Sequence, residues 1–120
     1  MIKTTKILYC INPESVIAFG DRQLKKTEKS LDYLRENEIE VIWLVDDDAF
    51  SFISILDGKL AHEFDKMLLS WSNVRGCIKD STSKADEYSC AADAYYGDWN
   101  YVSWRCSKLG KPVMIQNVDC

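Results

Sequence analysis

The chain has 120 residues, 47% of them hydrophobic, and a formal net charge of −4. This size and apolar content predict one domain over residues 1–120 and exclude a disordered chain. The acidic balance argues against nucleic acid as a partner, because phosphate contacts need a basic face. No apolar run reaches the roughly 18 residues of a membrane span and none resembles a signal peptide. We therefore predict a cytoplasmic protein without membrane contact.

The chain opens with two short apolar runs separated by a break. Residues 6–11 are typical of a β-strand, and the Asn12-Pro13 pair ends that strand. Residues 15–19 are apolar again and fit either a second strand or a buried loop.

A helix and a buried strand follow. Asp21 caps a helix over residues 22–36, and Asn37 suits the left-handed position that ends it. Residues 40–45 then form a strand whose last five residues are continuously apolar. Continuous rather than alternating hydrophobicity predicts a parallel strand with both faces covered, at the centre of a sheet.

Residues 50–71 carry two conflicting signals. Their apolar positions fit a helical stripe, whereas Asp57-Gly58 between apolar runs is also a hairpin signal. We favour helix, at least over residues 60–71, with a break near Gly58.

The second half of the chain predicts two strands and two helices. Residues 74–78 form a strand, and Ser83 caps a helix that runs to about residue 96, with Gly97 after its end. Asp98 caps the last helix and Gly110 ends it. The last strand covers residues 112–116.

The resulting order is β-α-β-α-β-α-α-β. It predicts an α/β fold: a single Rossmann-like three-layer domain, with a mostly parallel sheet of about four or five strands and helices on both faces. Ligands of such sheets bind beyond the carboxyl ends of the strands. Four polar loops should meet there: residues 12–15, 46–48, 79–84 and 116–119. The candidate ligand-binding residues are Asn12, Asp46, Asp48, Ser81, Thr82, Ser83, Lys84, Trp99 and Asn117.

Three aspartates, Asp46, Asp47 and Asp48, follow the buried strand directly. Carboxylates at a strand end could hold Mg²⁺ or contact ribose hydroxyls. The alternative is that Asp47 or Asp48 only caps the next helix.

The segment from Lys79 to Lys84 opens a predicted helix with hydroxyls and lysines. Free N–H groups at a helix start, with these side chains, could cradle a phosphate. There is no glycine-rich phosphate loop, and serine and threonine are also ordinary capping residues.

Five aromatic residues crowd the end of the chain: Tyr95, Tyr96, Trp99, Tyr101 and Trp104. They could pack in the core, stack on a base, or form a hot spot for a protein partner.

The chain has no catalytic motif, and the favoured interpretation assigns no catalytic residue, metal or cofactor. His62 is the only histidine, and no motif supplies a nucleophile for it, so it is predicted to be a surface or partly packed side chain. The five cysteines show no metal or disulfide spacing and are predicted to be mostly buried free thiols: Cys10, Cys77, Cys90, Cys106 and Cys120.

The C-terminal segment Leu109-Gly110-Lys111-Pro112-Val113 resembles the closing unit of nucleoside 2-deoxyribosyltransferase-like and SLOG-type Rossmann domains. The opening Lys6-Ile7-Leu8-Tyr9-Cys10 strand also lies where those domains begin. The resemblance implies a nucleotide-type pocket. The catalytic glutamate of the deoxyribosyltransferases lies about nine residues before this lysine, where the chain has Val102. The glycine-rich phosphate loop of the SLOG group is also missing, so the resemblance implies binding rather than turnover.

The predicted function is non-catalytic binding of a phosphorylated nucleotide-type ligand at the carboxyl edge of the sheet. A first alternative is an acidic inhibitor or immunity-type protein that binds another protein. A second is a metal-dependent hydrolase that uses the aspartates at 46–48. An exposed aromatic patch would favour the protein partner, and a pocket lined by Asp46, Ser81 and Asn117 would favour the small molecule.

Overall fold

The computed structural model describes residues 4–119 and confirms an α/β fold, with a parallel five-stranded sheet in the described part of the chain. The strand order is β3-β2-β1-β4-β5. In chain order, the strands are β1 (Lys6–Cys10), β2 (Glu40–Val45), β3 (Cys77–Ser81), β4 (Ala94–Gly97) and β5 (Val113–Ile115). The first strand of the chain is therefore the central strand of the sheet.

Six helices connect these strands within residues 4–119. They are α1 (Pro13–Phe19), α2 (Asp21–Glu36), α3 (Ala49–Leu56), α4 (Gly58–Ser72), α5 (Ala85–Ala91) and α6 (Tyr101–Lys108), and a 3₁₀ turn, Thr82–Lys84, precedes α5. No helix of the described chain is long and apolar enough to cross a membrane.

Helices cover both faces of the sheet, as predicted. On one face, called the α2 face, the first four helices bury Tyr9, Val41 and Trp43. On the opposite face, called the α6 face, α5 and α6 bury Leu8 and Leu44. Consecutive residues of a strand point to opposite faces, so the continuous apolar run of β2 supplies both cores.

The segment at 15–19 is neither a strand nor a loop, so that prediction was wrong. It belongs to α1, with Pro13 at the first helical position, where a missing N–H costs nothing. Val16 is buried and Ala18 exposed, which is the pattern of a short helix lying on the core. At the end of α2 the left-handed residue is Glu38 rather than Asn37.

The prediction for residues 50–71 is confirmed as helix with a break beside Gly58. Asp57 lies between α3 and α4, and its side chain accepts a hydrogen bond from the N–H of Leu60. The third strand lies three residues later than predicted, at Cys77–Ser81.

The helix predicted to run to residue 96 is wrong in its second half. Only α5 is helical, and Ala94–Gly97 is a strand that pairs with β1 on one side and β5 on the other. Ser81, not Ser83, caps the turn before α5, and Asn100, not Asp98, caps α6. The chain order is therefore β-α-α-β-α-α-β-α-β-α-β over the described residues.

The thiols differ in their exposure. Cys10 and Cys106 are buried, Cys77 is half-buried and Cys90 is exposed, and these four are free. Cys120 lies outside the described residues. His62 is exposed, as predicted.

Candidate functional site

Strands β1 and β4 form the switch point of the sheet. The chain adds β2 and β3 on one side of β1 and then crosses to add β4 and β5 on its other side. The loops that leave the two strands must diverge there, and the crevice between them is where such sheets bind ligands. The sequence indicated only Trp99 from the loop at 98–100 as a candidate, and it did not predict that loop among the four at this edge, because β4 was predicted to be helical.

A cavity of about 210 Å³ opens at this point and is called the switch-point cavity. Its walls come from four loops that are far apart in the sequence. It is lined by Cys10, Ile11, Asn12, Pro13, Asp46, Thr82, Asn100, Tyr101 and Val102. Three of the predicted binding residues, Asn12, Asp46 and Thr82, therefore lie together.

Two asparagine side chains fix the loops on either side of this cavity. The Nδ2 of Asn100 donates to the Oδ1 of Asn12 at 3.0 Å, and the Nδ2 of Asn12 donates to the carbonyl of Trp99 at 3.2 Å. The Oδ1 of Asn100 meanwhile accepts from the N–H groups of Val102 and Ser103. The first turn of α6 and the end of β1 are thus locked in one geometry.

Cys10 lines the cavity but is not a nucleophile. Burial raises the pKa of its thiol to about 12, outweighing the hydrogen bond from Asn100. The thiolate is the reactive form of cysteine, so this side chain stays inert at neutral pH.

A carboxylate of the chain itself occupies the donors at the start of α1. The Oδ2 of Asp98 accepts from the backbone N–H of Asn12 at 2.8 Å and from the hydroxyl of Ser15 at 2.6 Å. Its Oδ1 accepts from the amide of Gln116 at 3.0 Å. Dinucleotide-binding sheets hold a phosphate at the loop after the first strand, and in this chain Asp98 satisfies those donors.

A buried polar network continues from Asp98 into the core. The amide of Gln116 also donates to Gln23 at 3.0 Å, and the Nε2 of Gln23 donates to Thr27. The hydroxyl of Tyr9 lies 2.8 Å from Thr27, and its burial raises its pKa. The network joins β1, α2, β4 and β5 behind the cavity, so the loops of the site rest on a rigid base.

A second opening, called the acidic cleft, lies between β2, β3 and α4. It has a volume of about 360 Å³, and its polar lining residues are Asp46, Asp47, Asp65, Lys79, Asp80 and Ser81. Asp46 lines both openings. Within residues 4–119, no group of three or more histidine, cysteine, aspartate or glutamate side chains could hold a metal ion.

Side chains of the predicted phosphate site, residues 79–84, bond to one another and to their neighbours. The Nζ of Lys84 lies 3.5 Å from Asp80, and the hydroxyl of Ser81 accepts from the N–H of Ser83 at 3.0 Å. The hydroxyl of Tyr88 donates to Asp80 at 2.5 Å and holds the pKa of that carboxyl below its usual range. A negative carboxylate beside Lys84 weakens the attraction of this turn for an anion.

The remaining candidates lie apart from the switch-point cavity. Asp48 is exposed before α3, and its N–H donates to the carboxylate of Asp46 at 2.8 Å. Ser83 and Lys84 are exposed on the 3₁₀ turn. Asn117 is exposed and accepts from the N–H of Asp119, and it lines neither opening. The pocket expected from Asp46, Ser81 and Asn117 therefore forms only in part.

The aromatic group is divided between core and surface. Tyr95 is buried and Tyr96 half-buried, whereas Trp99 is 57% exposed. Tyr101 and Trp104 are also exposed, and their rings stack with centroids 5.8 Å apart. We call these three exposed rings the aromatic patch. It borders the switch-point cavity, since Tyr101 belongs to both.

Lys111 in the Leu-Gly-Lys-Pro-Val segment has a structural role. Its ammonium donates to the backbone carbonyls of Ser89, Cys90 and Ala92 at the end of α5. A cation at the C-terminal end of a helix bonds to the free carbonyls and interacts favourably with the negative end of the helix dipole.

Comparisons of the chain with protein-family models, with curated proteins and with solved structures find no match. The resemblance of the Leu-Gly-Lys-Pro-Val segment to deoxyribosyltransferase-like and SLOG-type domains stays a prediction.

Proposed function

We propose that the protein binds a nucleoside-type small molecule, without chemical turnover, with the sugar of the ligand in the switch-point cavity. The observation that carries the proposal is the position of Asp46. It follows β2, beside the switch point, where dinucleotide-binding sheets place the carboxylate that accepts hydrogen bonds from ribose hydroxyls.

The size and chemistry of the cavity agree with a sugar. Its volume of about 210 Å³ is below the roughly 300 Å³ at which cavities for whole small ligands begin. Asp46 offers acceptors and Thr82 offers a hydroxyl that both donates and accepts. Such a combination of hydrogen-bond donors and acceptors can recognise the two hydroxyls of a sugar, and it does not require a phosphate on the ligand.

The sequence predicted a phosphorylated ligand. The charges near the cavity favour an unphosphorylated one instead. Asp98 takes the backbone N–H of Asn12 and the hydroxyl of Ser15, two donors that a phosphate at the start of α1 would use. The exposed carboxylate of Asp46 would repel an anion seated beside it. The base of the ligand would leave the cavity along Tyr101, whose exposed ring offers a stacking surface.

Binding of nucleosides tests this proposal by isothermal titration calorimetry. We expect at least one ribonucleoside to bind more tightly than its 2′-deoxy form and its 5′-monophosphate. Asp46→Asn removes the charge that accepts from the ribose and should weaken binding about 10- to 100-fold, the effect of losing a hydrogen bond to a charged group.

Asp48→Asn is the matched control, because it removes the same charge from the same turn at a residue outside both openings. Its affinity should equal that of the wild type. Absence of binding by every common ribonucleoside at about 1 mM, or equal affinity of Asp46→Asn and wild type, would overturn the proposal.

A second candidate function is binding of another protein through the aromatic patch. Exposed tryptophan and tyrosine with a polar rim are typical of interface hot spots, and here Lys108 lies 5.7 Å from the ring of Trp104. We expect wild type, but not Trp99→Ala with Trp104→Ala, to retain a stoichiometric partner in a pull-down from its native cells. Leu109→Ala changes an exposed apolar residue outside the patch and is the control. Equal recovery by all three proteins would exclude the patch as the binding surface.

A further inference from the structure

The α2 face of the sheet is only partly covered beyond β1. Parallel sheets are normally covered on both faces, yet in the described chain α2 reaches only β4 on this side, where the hydroxyl of Ser30 lies 3.4 Å from that of Tyr96. Met114 is 67% exposed as a result. A groove of about 530 Å³ lies here between α2 and the two strands. We call it the α2 groove, and its main apolar residues are Ile7, Tyr33, Leu34, Tyr96 and Met114.

Two lysines form the rim of this groove on α2. Lys26 and Lys29 both line it, and within residues 4–119 neither makes an ion pair. The neighbouring Lys25, in contrast, is paired with Asp21 at 3.0 Å. The groove therefore matches an occupant that is apolar in its centre and acidic on the side that faces α2.

Helix α3 has that chemistry. It has no charged residue over its eight positions, and only Ala49 and Ile53 are buried. Phe52, Ile55 and Leu56 are exposed at i, i+3 and i+4, the spacing of anchor residues that enter a groove, and Ile55 is 83% exposed. We call these three residues the α3 stripe.

Acidic residues lie at both ends of the α3 stripe. Three exposed aspartates precede α3, at positions 46–48, and Asp57 follows it. The stripe cannot cover the groove of its own chain, because α3 packs against α1 and α4, whereas the groove lies on the β4 side of α2.

We propose that the protein self-associates head to tail, with the α3 stripe of one copy in the α2 groove of the next. The apolar residues meet in the centre, and Lys26 and Lys29 face the aspartates at the ends of α3. The two contact surfaces differ, so the interface is heterologous, and repeating it builds a ring or an open filament. The apolar residues of this interface lie outside the switch-point cavity.

The test uses two variants that each lose one surface. Ile55→Asp places a charge in the α3 stripe, and Met114→Asp places one in the groove. In sedimentation equilibrium from micromolar concentrations to about 1 mM, the range of weak interfaces, wild type should gain mass with concentration. Each variant alone should stay monomeric.

The equimolar mixture is the decisive sample. The Ile55→Asp copy keeps an intact groove and the Met114→Asp copy keeps an intact stripe, so the mixture should form a 1:1 dimer and nothing larger. Ile78→Asp alters an exposed residue of β3 outside both surfaces and should assemble like wild type. Tyr33→Asp replaces Met114→Asp if circular dichroism finds that variant unfolded.

The dependence of assembly on salt concentration tests separately whether the lysines and aspartates contribute to the interface. Raising ionic strength to about 0.5 M should weaken assembly several-fold, because exposed ion pairs are screened. A wild type that is monomeric throughout, a single variant that still assembles, or a mixture that stays monomeric would each overturn the proposal.

Discussion

Replacing Gly97 by alanine should abolish the native fold. A Cβ built on Gly97 would lie 2.1 Å from the carbonyl oxygen of Cys10, far inside van der Waals contact. Its φ of 145° is also a conformation that residues with side chains rarely adopt. The clash is with backbone in the neighbouring strand, and the same carbonyl accepts from the N–H of Asp98, so neither strand can move aside. We expect a loss of more than about 4 kcal/mol, a large part of the stability of a domain.

Urea unfolding followed by circular dichroism measures this effect. Gly58→Ala is the control, because Gly58 begins α4 and nothing lies within 4 Å of the added carbon. Alanine there should be neutral or stabilise the protein by up to about 1 kcal/mol. A Gly97→Ala protein with the wild-type unfolding midpoint would mean that β1 and β4 do not approach as described.

Asp98→Ala should have the second largest effect. It removes the acceptor shared by the N–H of Asn12, the hydroxyl of Ser15 and the amide of Gln116. Hydrogen bonds to a charged group are each worth roughly 1.5–3 kcal/mol, but the three donors left behind are only partly buried, so water replaces part of these bonds. We expect a loss of about 3 kcal/mol and a melting temperature lower by about 10 °C.

Two further variants distinguish the contribution of the hydrogen bonds of Asp98 to stability from that of its charge. Asp98→Asn keeps one oxygen for Asn12 and Ser15 and loses only the acceptor of the Gln116 amide, so the loss of stability should be smaller than with alanine. Asp86→Ala removes an exposed carboxylate that also has two partners, Tyr101 and Arg105, and it should leave the melting temperature nearly unchanged. If calorimetry finds Asp98→Ala as stable as Asp86→Ala, the carboxylate of Asp98 does not hold the loops together.

The sequence predicted those elements whose pattern is local. The apolar run of β2 indicates a strand covered on both faces, and Val41 and Leu44 are buried on opposite sides of the sheet. The break at Asp57 is visible because a capping residue precedes a glycine. Asp46 lies at the carboxyl edge of the sheet, as expected of a residue directly after a parallel strand.

Elements that depend on distant pairing were missed. Tyr95 and Tyr96 fit a helix as well as a strand, and only their pairing with Leu8 and Tyr9 fixes them in the sheet. Asp98 was predicted to cap the helix that follows it, whereas its carboxylate bonds to Asn12 and Ser15, more than 80 residues earlier. Such contacts have no periodicity and no local spacing, so a single sequence contains no signal for them.

The central position of β1 has a consequence for synthesis on the ribosome. One edge of β1 can pair with β2 as soon as residue 45 has emerged, but the other edge has to wait for β4 and residue 97. At about 5–20 residues per second, that interval lasts roughly 3–10 seconds. During this time the unpaired N–H and C=O groups of β1 lie open beside apolar side chains, the arrangement from which strands join those of other chains. The nascent protein is therefore most prone to aggregate between the completion of its first half-sheet and the arrival of Gly97.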